Sequence, residues 1–309
     1  MISWFRKLAV VASVALVTAC GGSDDPHPQN IVDTAKADPQ FSILVEAVVA
    51  ADLVTTLSGA GPYTVLAPTN TAFGALLTEL GVTKAQLLAD KPLLTSVLKY
   101  HVLSGAVPRA SVPLGKAIST VQGGILKIDS VPAGLVVTDG RNRTAKITAT
   151  DIGASNGVLH VIDKVLLPAN RTIVETAIAT PSLSILVEAV TAANLGATLS
   201  AAGPYTVFAP TNDAFAALLT ELGLTKAQLL ADLPLLTKVL TYHVIGSRVL
   251  KAEIQTGQPV PTREGETLSI SAAFIITDQR ARTASIVAPD VLASNGVVHL
   301  IDKVILPRP

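Results

Sequence analysis

Four histidines are the residues of this chain whose chemistry first suggests a catalytic or metal-binding site. They form two pairs at matching places in the sequence, His101 with His160 and His243 with His299. A zinc site takes three or four ligands at suitable spacing, whereas this chain has a single cysteine and no two histidines four positions apart. The histidines therefore predict neither a metal centre nor a bound cofactor.

A serine hydrolase is the other catalytic interpretation of these histidines, since a serine, a histidine and an acidic residue can act together. Ser155 and Ser294 are the nearby serines. Each serine directly precedes a predicted hairpin turn between two strands. The nucleophile of such a hydrolase instead lies on a turn between a strand and a helix. We therefore predict that the protein is not an enzyme.

Structural roles explain the same residues. His101 lies at the end of a predicted helix, where a protonated imidazole would favour the helix dipole. His160 is predicted to be a hydrogen-bonded strand residue, and Asp163 and Asp302 are expected to fix a strand or loop by hydrogen bonds. The remaining polar candidates are expected to cap helices: Thr69, Asn70, Thr211 and Asn212.

The elements that must position these residues begin with helices. Asn30 is a candidate helix cap. Thr83, with Gln86 three residues later, forms a capping box, and Pro92 suits the first turn of the next helix. A further helix is predicted within residues 41–53, where apolar residues recur at helical spacing, namely Ile43, Leu44, Ala47, Val48 and Ala51.

Strands are predicted in the second part of the unit, where apolar residues alternate. Asn156-Gly157 is a strong signal for a hairpin turn between the last two strands. The strand after the turn, Val158–Leu166, is apolar on both faces, so it is expected to be buried on both, beside Val65 and Leu66. Helices followed by strands in one compact unit indicate an α+β fold.

The whole unit occurs twice. Residues 41–103 and 183–245 are identical at 49 of 63 positions, and residues 138–168 and 277–307 at 21 of 31. Offsets of 142 and 139 residues are far longer than the period of a solenoid repeat, so the chain is predicted to contain two duplicated domains. Their predicted bounds are 30–168 and 170–307.

The link between the copies is little more than Pro-Ala-Asn-Arg, which is too short to act as a long flexible linker. Asn170 is predicted to cap the helix that begins near Thr172. We therefore expect the two domains to touch and to form a fixed pair.

Composition excludes some functional classes. The 309 residues are 49% hydrophobic and 15% charged, enough apolar material for a sizeable core. Lys plus Arg is 23 and Asp plus Glu is 23. This balance provides no net field to attract nucleic acid, so we predict no nucleic-acid partner.

The first nineteen residues are predicted to be a lipoprotein signal peptide. A positively charged start precedes an apolar stretch too short to read as a spanning helix. Thr18-Ala19-Cys20 is similar to a bacterial lipobox, which implies cleavage to leave Cys20 as a lipidated N-terminus and membrane anchor. Residues 20–29 would then be a flexible tether. The alternative is an ordinary signal peptide with an incidental cysteine.

Two motifs, each present in both copies, resemble a known family. "TVLAPTNTAF" and "TVFAPTNDAF" resemble the first signature of fasciclin (FAS1) domains, and "SNGVLHVIDKVLLP" and "SNGVVHLIDKVILP" resemble the second. Tyr100-His101 and Tyr242-His243 stand where the family has a Tyr-His pair. The resemblance implies two domains that are each a β-sandwich wedge flanked by helices. It also implies cell-surface adhesion and ligand binding, with no known catalytic activity.

The resemblance implies candidate adhesion residues too. In animal members, the Tyr-His region and an Asp-Ile pair just before the second signature are linked to integrin binding. The corresponding positions here are Tyr100, His101, Asp151, Ile152, Tyr242, His243, Asp290 and Val291. Val291 departs from the Asp-Ile pattern, and the bacterial-type lipobox argues against an integrin. These pairs either bind an extracellular or periplasmic protein or glycan, or are purely structural.

A basic turn recurs in both copies, at Arg141 and Arg143 and at Arg280 and Arg282. Such turns are usually solvated, although an anionic glycan or lipid headgroup is an alternative partner.

The sequence therefore predicts a lipid-anchored cell-envelope protein for adhesion or matrix interaction. Gly21 follows Cys20 where many inner-membrane lipoproteins have an aspartate, so the expected location is the outer membrane. The alternative function is binding of an apolar small molecule, such as a pigment or lipid, in a cleft lined by the Leu-, Val- and Ala-rich helices.

Overall fold

The computed structural model describes residues 29–309. The predicted signal peptide, Cys20 and almost all of the tether lie outside this part of the chain. Between residues 29 and 309, no helix has both the length and the apolarity needed to cross a bilayer.

The first domain begins with helices and ends with strands. Its α-helices are α1 Ile31–Ala37, α2 Ser42–Ala50, α3 Val54–Ser58, α4 Asn70–Leu80, α5 Lys84–Ala89 and α6 Lys91–Tyr100. Its strands are β1 Tyr63–Pro68, β2 Val102–Ser104, β3 Ala117–Ser119, β4 Ile125–Val131, β5 Gly134–Thr138, β6 Thr144–Ala154 and β7 Gly157–Ile162. Short 3-10 helices span Pro39–Phe41 and Arg109–Ser111.

The second domain repeats this order of elements. Its α-helices are α7 Ile173–Ile178, α8 Ser184–Ala192, α9 Gly196–Ser200, α10 Asn212–Leu222, α11 Lys226–Ala231 and α12 Leu233–Tyr242. Its strands are β8 Tyr205–Pro210, β9 Val244–Ile245, β10 Pro259–Pro261, β11 Thr267–Ile270, β12 Ile275–Thr277, β13 Thr283–Ala293 and β14 Gly296–Ile301. Its 3-10 helices are Pro181–Leu183 and Lys251–Glu253.

Each domain contains one seven-stranded sheet, and the two sheets have the same strand order. In the first domain the order is β2-β1-β7-β6-β5-β4-β3, with β1 parallel to β7 and the other neighbours antiparallel. Val65 of β1 pairs with Leu159 of β7, and Leu66 pairs with His160. The prediction that the two signature strands lie side by side is therefore confirmed.

The sheet has an apolar core on each face. On the helix side, Val65 and Ala67 of β1 pack with residues of α1 to α6. On the other side, Leu66 packs with Ile118 of β3 at the opposite end of the sheet. Because both ends of the sheet contribute to the same cluster, the sheet curls over itself as a sandwich-like wedge. The predicted α+β class is confirmed, as is two-sided burial of the strand after the hairpin, and β1 is buried in the same pattern.

The last hairpin differs in detail from its prediction. Ala154 pairs with Gly157, so the turn residues are Ser155 and Asn156 and not Asn156-Gly157. Gly157 is already in the strand, where a Cβ would collide with the carbonyl oxygen of Tyr63. A glycine is therefore needed because the two strands approach closely, and the hairpin prediction was one residue out of register.

The predicted strand Val158–Leu166 is also too long. β7 ends at Ile162, and Val165, Leu166 and Leu167 are buried but belong to no strand. Side chains provide their hydrogen bonds instead, because the Leu166 N–H donates to His101 Nε2 at 2.9 Å and the Leu167 N–H to Asp139 Oδ2 at 2.9 Å. Asp163 accepts from the Lys146 N–H at 2.7 Å, which confirms its role in fixing a strand.

Helix caps are largely as predicted, with two corrections. Asn30 caps α1, Thr69 caps α4, and Thr83 with Gln86 forms the capping box of α5. Asn70 does not cap its own helix, because its Oδ1 accepts from the Ile43 N–H in the first turn of α2.

The second correction lies in the linker. Thr172 caps α7, with Glu175 completing a capping box, whereas Asn170 is exposed and outside the cap. A threonine hydroxyl at the N-cap satisfies the N–H three residues later. The linker prediction therefore placed the cap two residues too early.

Candidate functional site

The Tyr-His pairs are buried in both domains. Tyr100 and Tyr242 are fully buried, and His101 and His243 are each 2% exposed. The Tyr100 hydroxyl donates to the Ile125 carbonyl at 2.5 Å, and burial raises its pKa above the ordinary range. A partner cannot touch these side chains directly in this structure, so their adhesion role remains a prediction.

His101 joins the end of α6 to the segment after β7. Its Nδ1–H donates to the Val97 carbonyl at 2.8 Å, and its Nε2 accepts the Leu166 N–H. Burial lowers the pKa of His101 to about 4, and the same holds for His243. The expectation of a cationic imidazole at the helix end is wrong, because desolvation outweighs the attraction of the helix dipole.

His160 is the hydrogen-bonded strand residue that was predicted. Its Nδ1 accepts the Asp151 N–H at 3.2 Å and its Nε2 donates to the Val107 carbonyl at 2.9 Å. Gly153-Ala-Ser155-Asn-Gly157 formally has the Gly-x-Ser-x-Gly pattern of a hydrolase. The structure places Ser155 in the β6–β7 hairpin turn, which is not the strand-to-helix turn of that motif.

The two Asp positions before the second signature have different surroundings. Asp151 is exposed, and its Oδ1 accepts the Arg109 N–H at 2.8 Å. Its counterpart Asp290 is only 7% exposed, and its Oδ1 accepts the Lys251 N–H at 2.7 Å. Both therefore cap a 3-10 helix, but only Asp151 lies where a partner could reach it. Its neighbour Ile152 is partly buried against the helix-side core.

Asp290 is buried because it lies in the interface between the domains. Its Oδ2 is 3.0 Å from Lys127 Nζ of the first domain, and Lys127 also lies 3.2 Å from Asp129. Burial disfavours the charge on Lys127, but hydrogen bonds and attraction from Asp290 and Asp129 outweigh this and raise its pKa. This ion pair connects β4 of one domain to the β13 bulge of the other.

Further contacts extend the interface. Asn142 Nδ2 donates to the Leu292 carbonyl at 3.0 Å, and the Leu292 N–H donates back to Asn142 Oδ1 at 2.6 Å. The Ala117 N–H donates to Glu253 Oε1 at 3.2 Å. An apolar cluster joins Ile125 of the first domain to three residues of the second, Leu250, Leu292 and Val297. The prediction that the domains touch is therefore confirmed.

The basic turns are not simply solvated. Arg143 forms two hydrogen bonds to Glu79, at 2.7 and 2.8 Å, and donates to Asp139 and to the Val165 carbonyl. In the second domain Arg282 makes a single contact to Glu221, from Nη2 to Oε2 at 2.8 Å. These arginines tie the turn to helices α4 and α10, which corrects the view of a purely solvent-exposed turn.

Asp139 is a structural residue that sequence analysis missed. It is 1% exposed and accepts the backbone N–H groups of Arg141, Arg143 and Leu167. Asp278 accepts the equivalent three in the second domain. The signal was available, because both copies contain an aspartate directly after Thr138 or Thr277.

An apolar cleft lies beneath the first helices of each domain. In the second domain it has a volume of about 70 Å³ and is lined by residues that include Ile178, Gly196 and His243. The corresponding cleft of the first domain is about 30 Å³ and includes His101. Gly196 lines the larger cleft, and Val54 stands at the corresponding position of the first domain.

No group of three or more His, Cys, Asp or Glu side chains is arranged to hold a metal ion in residues 29–309. The described residues thus present a two-domain interface, an exposed aspartate at position 151 and an apolar cleft in each domain.

Comparison with known proteins gives one family. A profile of the Fasciclin domain matches residues 39–168 and 181–307. Protein sll1483 of Synechocystis is 44% identical over 150 residues, which is 48% of this chain and 79% of that protein. Cell surface glycolipoprotein MPB83 of Mycobacterium bovis is 35% identical over 156 residues, 49% of this chain and 64% of its own length.

Animal proteins match both domains together. Transforming growth factor-beta-induced protein ig-h3 of Sus scrofa is 30% identical over 253 residues, 81% of this chain. The match covers only 35% of that relative's length. A FAS1 domain pair from the insect cell adhesion molecule Fasciclin I is 16% identical, with a TM-score of 0.44, over 84% of this chain and 95% of that one.

Proposed function

Because the chain belongs to the Fasciclin domain family, we propose that it is an adhesion or matrix-interaction protein of the cell envelope, held by a lipid on Cys20. The observation that most supports adhesion is the joining of two such domains by the Lys127–Asp290 pair and the Asn142–Leu292 hydrogen bonds. A fixed pair presents two copies of a surface in one geometry, which raises the effective concentration for a repeated partner.

Asp151 is the exposed candidate contact within this unit. It has a positive φ of 61°, which a short polar side chain tolerates better than most. Its Oδ1 accepts the Arg109 N–H, and the residue is exposed at the surface of the first domain. A protein or glycan partner with donor groups would suit this position.

The adhesion proposal is tested with beads that display the mature chain. Attachment to immobilised envelope or matrix material is compared for the wild type and for a variant with a Gly/Ser stretch inserted after Ala169. The insertion should weaken attachment while each domain melts nearly as before. The same stretch inserted after Ser23, in the tether, is the matched control and should change nothing. A wild type that attaches to no surface would reject adhesion.

The lipid anchor has support of its own. Thr18-Ala19-Cys20 is similar to a lipobox, and the relative MPB83 is named a cell surface glycolipoprotein. A Cys20→Ser protein should leave the membrane fraction, whereas Ser23→Ala should remain there. If Cys20→Ser protein stays on washed membranes, the anchor proposal is wrong even if adhesion is observed.

The apolar clefts favour a second candidate function, binding of a linear acyl chain. Both are far smaller than the roughly 300 Å³ that a drug-sized ligand needs, so only a narrow chain end could enter. Ile178 is 62% exposed beside the larger cleft and would extend its apolar surface. Lys36, paired with Asp33, occupies that position in the first domain.

A fluorescent fatty acid tests this second candidate. Gly196→Val should reduce binding, because it places in the second domain the valine that the first domain has at this position. Val54→Gly should increase binding in the first domain. Equal binding by the wild type and both variants would show that the clefts are not the site.

A further inference from the structure

A pocket of about 310 Å³ lies at the junction of the two domains. The first domain and the linker contribute Gln122–Ile125, Gly140 and Pro168–Ala169, and the second domain contributes Leu292–Ser294 and Arg248. This volume is at the lower end of the range for small-molecule sites, about 300 to 1,000 Å³. The pocket is therefore large enough for a compact organic molecule.

Among the described residues that line this pocket, Arg248 has the one charged side chain. Its Nε is buried and has no hydrogen-bond partner among residues 29–309. Glu253 is the carboxylate whose charge acts on Arg248. Both oxygens of Glu253 already accept hydrogen bonds, Oε1 from the Ala117 N–H and Oε2 from the Leu250 N–H. A buried donor without a partner is costly and rare in native proteins, and because Arg248 lines the pocket, its guanidinium is placed to meet an anionic ligand.

The first domain has no arginine at the position that corresponds to Arg248. Ala106 occupies the corresponding position of the first domain, three residues before the 3-10 helix Arg109–Ser111. Burial lowers the pKa of Arg248, with the charge of Glu253 opposing this effect. A guanidinium nevertheless stays protonated in proteins. Arg141 and Arg171 add positive charge near the linker, and the charge of Arg171 is one of the causes that lower the pKa of Arg141 after burial.

The floor of the pocket is backbone held by close packing. A Cβ on Gly124 would lie 2.8 Å from Gln122 Oε1 and 3.2 Å from Tyr100 Cε2. Gly140 leaves no room for a Cβ against the Ala169 nitrogen. Tyr100 lies directly beneath, so this residue of the Tyr-His pair positions the floor of the pocket from inside the first domain.

We propose that the junction pocket binds a small organic anion through its carboxylate or phosphate group, with Arg248 as the charged donor. The planar guanidinium fork matches both groups. The exposed hydroxyl side chain of Ser294 lies on the same wall, and Leu292 and Pro168 can contact the body of the ligand. The anion comes from one of two sources, a free small acid or the acidic end of a longer glycan.

Titration calorimetry of the mature chain at low salt tests the proposal. The probes are inorganic phosphate, glucuronate, neutral glucose and a glucuronate oligomer. Phosphate and glucuronate should bind and glucose should not. Tighter binding of the oligomer would identify a glycan end as the source, and equal affinity would identify the free acid.

Variants locate the binding. Arg248→Ala, which installs the residue of the first domain, should weaken glucuronate binding about tenfold or more. Arg248→Lys keeps the charge without the fork and should also weaken it, which covers the case in which the alanine protein folds poorly. Lys91→Ala removes a remote surface cation and should bind as the wild type does. Absence of binding by either anion at millimolar concentration, or unchanged affinity in both Arg248 variants, would overturn the proposal.

Discussion

The two domains have nearly the same interior and different facing surfaces. Tyr100 and Tyr242 donate to carbonyls at corresponding places in β4 and β11, and His101 and His243 make matching hydrogen bonds. At the interface the copies differ, because Lys127 and Asn142 have Ser269 and Ala281 as counterparts. The two copies therefore share the buried Tyr-His pairs of their cores and differ at residues that join the two domains.

The same contrast separates the two aspartates. Asp151 and Asp290 have the same φ of 61° and each caps a 3-10 helix. Asp290 also pairs with Lys127 and is buried, whereas Asp151 faces solvent. One local structure therefore acts as an interface contact in the second domain and as a free surface residue in the first.

The largest expected effect concerns the buried histidine that each domain has at the end of its last α-helix, His101 and His243. The ordinary histidine pKa is 6.5, and in the folded protein it is about 4 for His101 and His243. Between these values the unfolded chain binds protons that the folded chain does not. The stability due to neutral burial is therefore complete above pH 6.5 and is lost as the pH falls toward 4, by an amount on the order of 3 kcal/mol per histidine.

Urea unfolding at a series of pH values measures this loss. The double variant His101→Gln and His243→Gln removes both titrations while keeping a donor and an acceptor at each site. Its free energy of unfolding should fall less steeply between pH 6.5 and 4. If the wild type and the variant have the same slope, other groups cause the acid sensitivity.

The next largest effect is expected from breaking the Lys127–Asp290 ion pair between the domains. Lys127→Ala leaves Asp290, whose side chain is 5% exposed, without its cation, and should lower the free energy of unfolding by about 3 kcal/mol. Ser269→Ala, at the corresponding position of the second domain, should change it by less than about 0.5 kcal/mol. Equal effects of the two substitutions in chemical unfolding would contradict the asymmetry described above.

The smallest effect concerns the turn after β5 and β12. Asn142→Ala removes two hydrogen bonds to Leu292 and should cost about 1 to 2 kcal/mol. Ala281 has a φ of 57° in the second domain, so Ala281→Asn should stabilise by about 0.5 to 1 kcal/mol, because asparagine tolerates this conformation better. Thermal unfolding distinguishes the two, and a loss of stability in Ala281→Asn would refute the argument from backbone conformation.

Sequence reasoning worked best where the interactions are local. Thr83 with Gln86, Asn30 and Thr69 were identified as caps because each side chain bonds within three residues of itself. The pairing of Val65 with the strand after the hairpin was predicted because both segments are apolar on both faces. The turn register at Gly157 was missed because it depends on the nearby Tyr63 carbonyl, which lies in a distant part of the sequence.

The candidate site was less predictable, since its features arise from contacts over long sequence separation. Lys127 and Asp290 are 163 residues apart, and Asn142 and Leu292 are 150 apart. No local pattern distinguishes such residues from ordinary surface residues. The comparison of the copies did contain a signal, because Lys127, Asn142 and Leu292 have different residues at the corresponding positions, namely Ser269, Ala281 and Gly153.

The sequence by itself determined the duplicated α+β unit, its main caps and its signature strands, because apolar periodicity and side-chain capping act over a few residues. Only the tertiary structure decided that the Tyr-His pairs are buried and neutral, that Asp151 is exposed while Asp290 is paired, and that Arg248 lines a junction pocket. The physical reason is that burial, charge pairing and pocket shape depend on which segments meet in space. Two copies of one sequence pattern therefore reach different environments once the domains pack against each other.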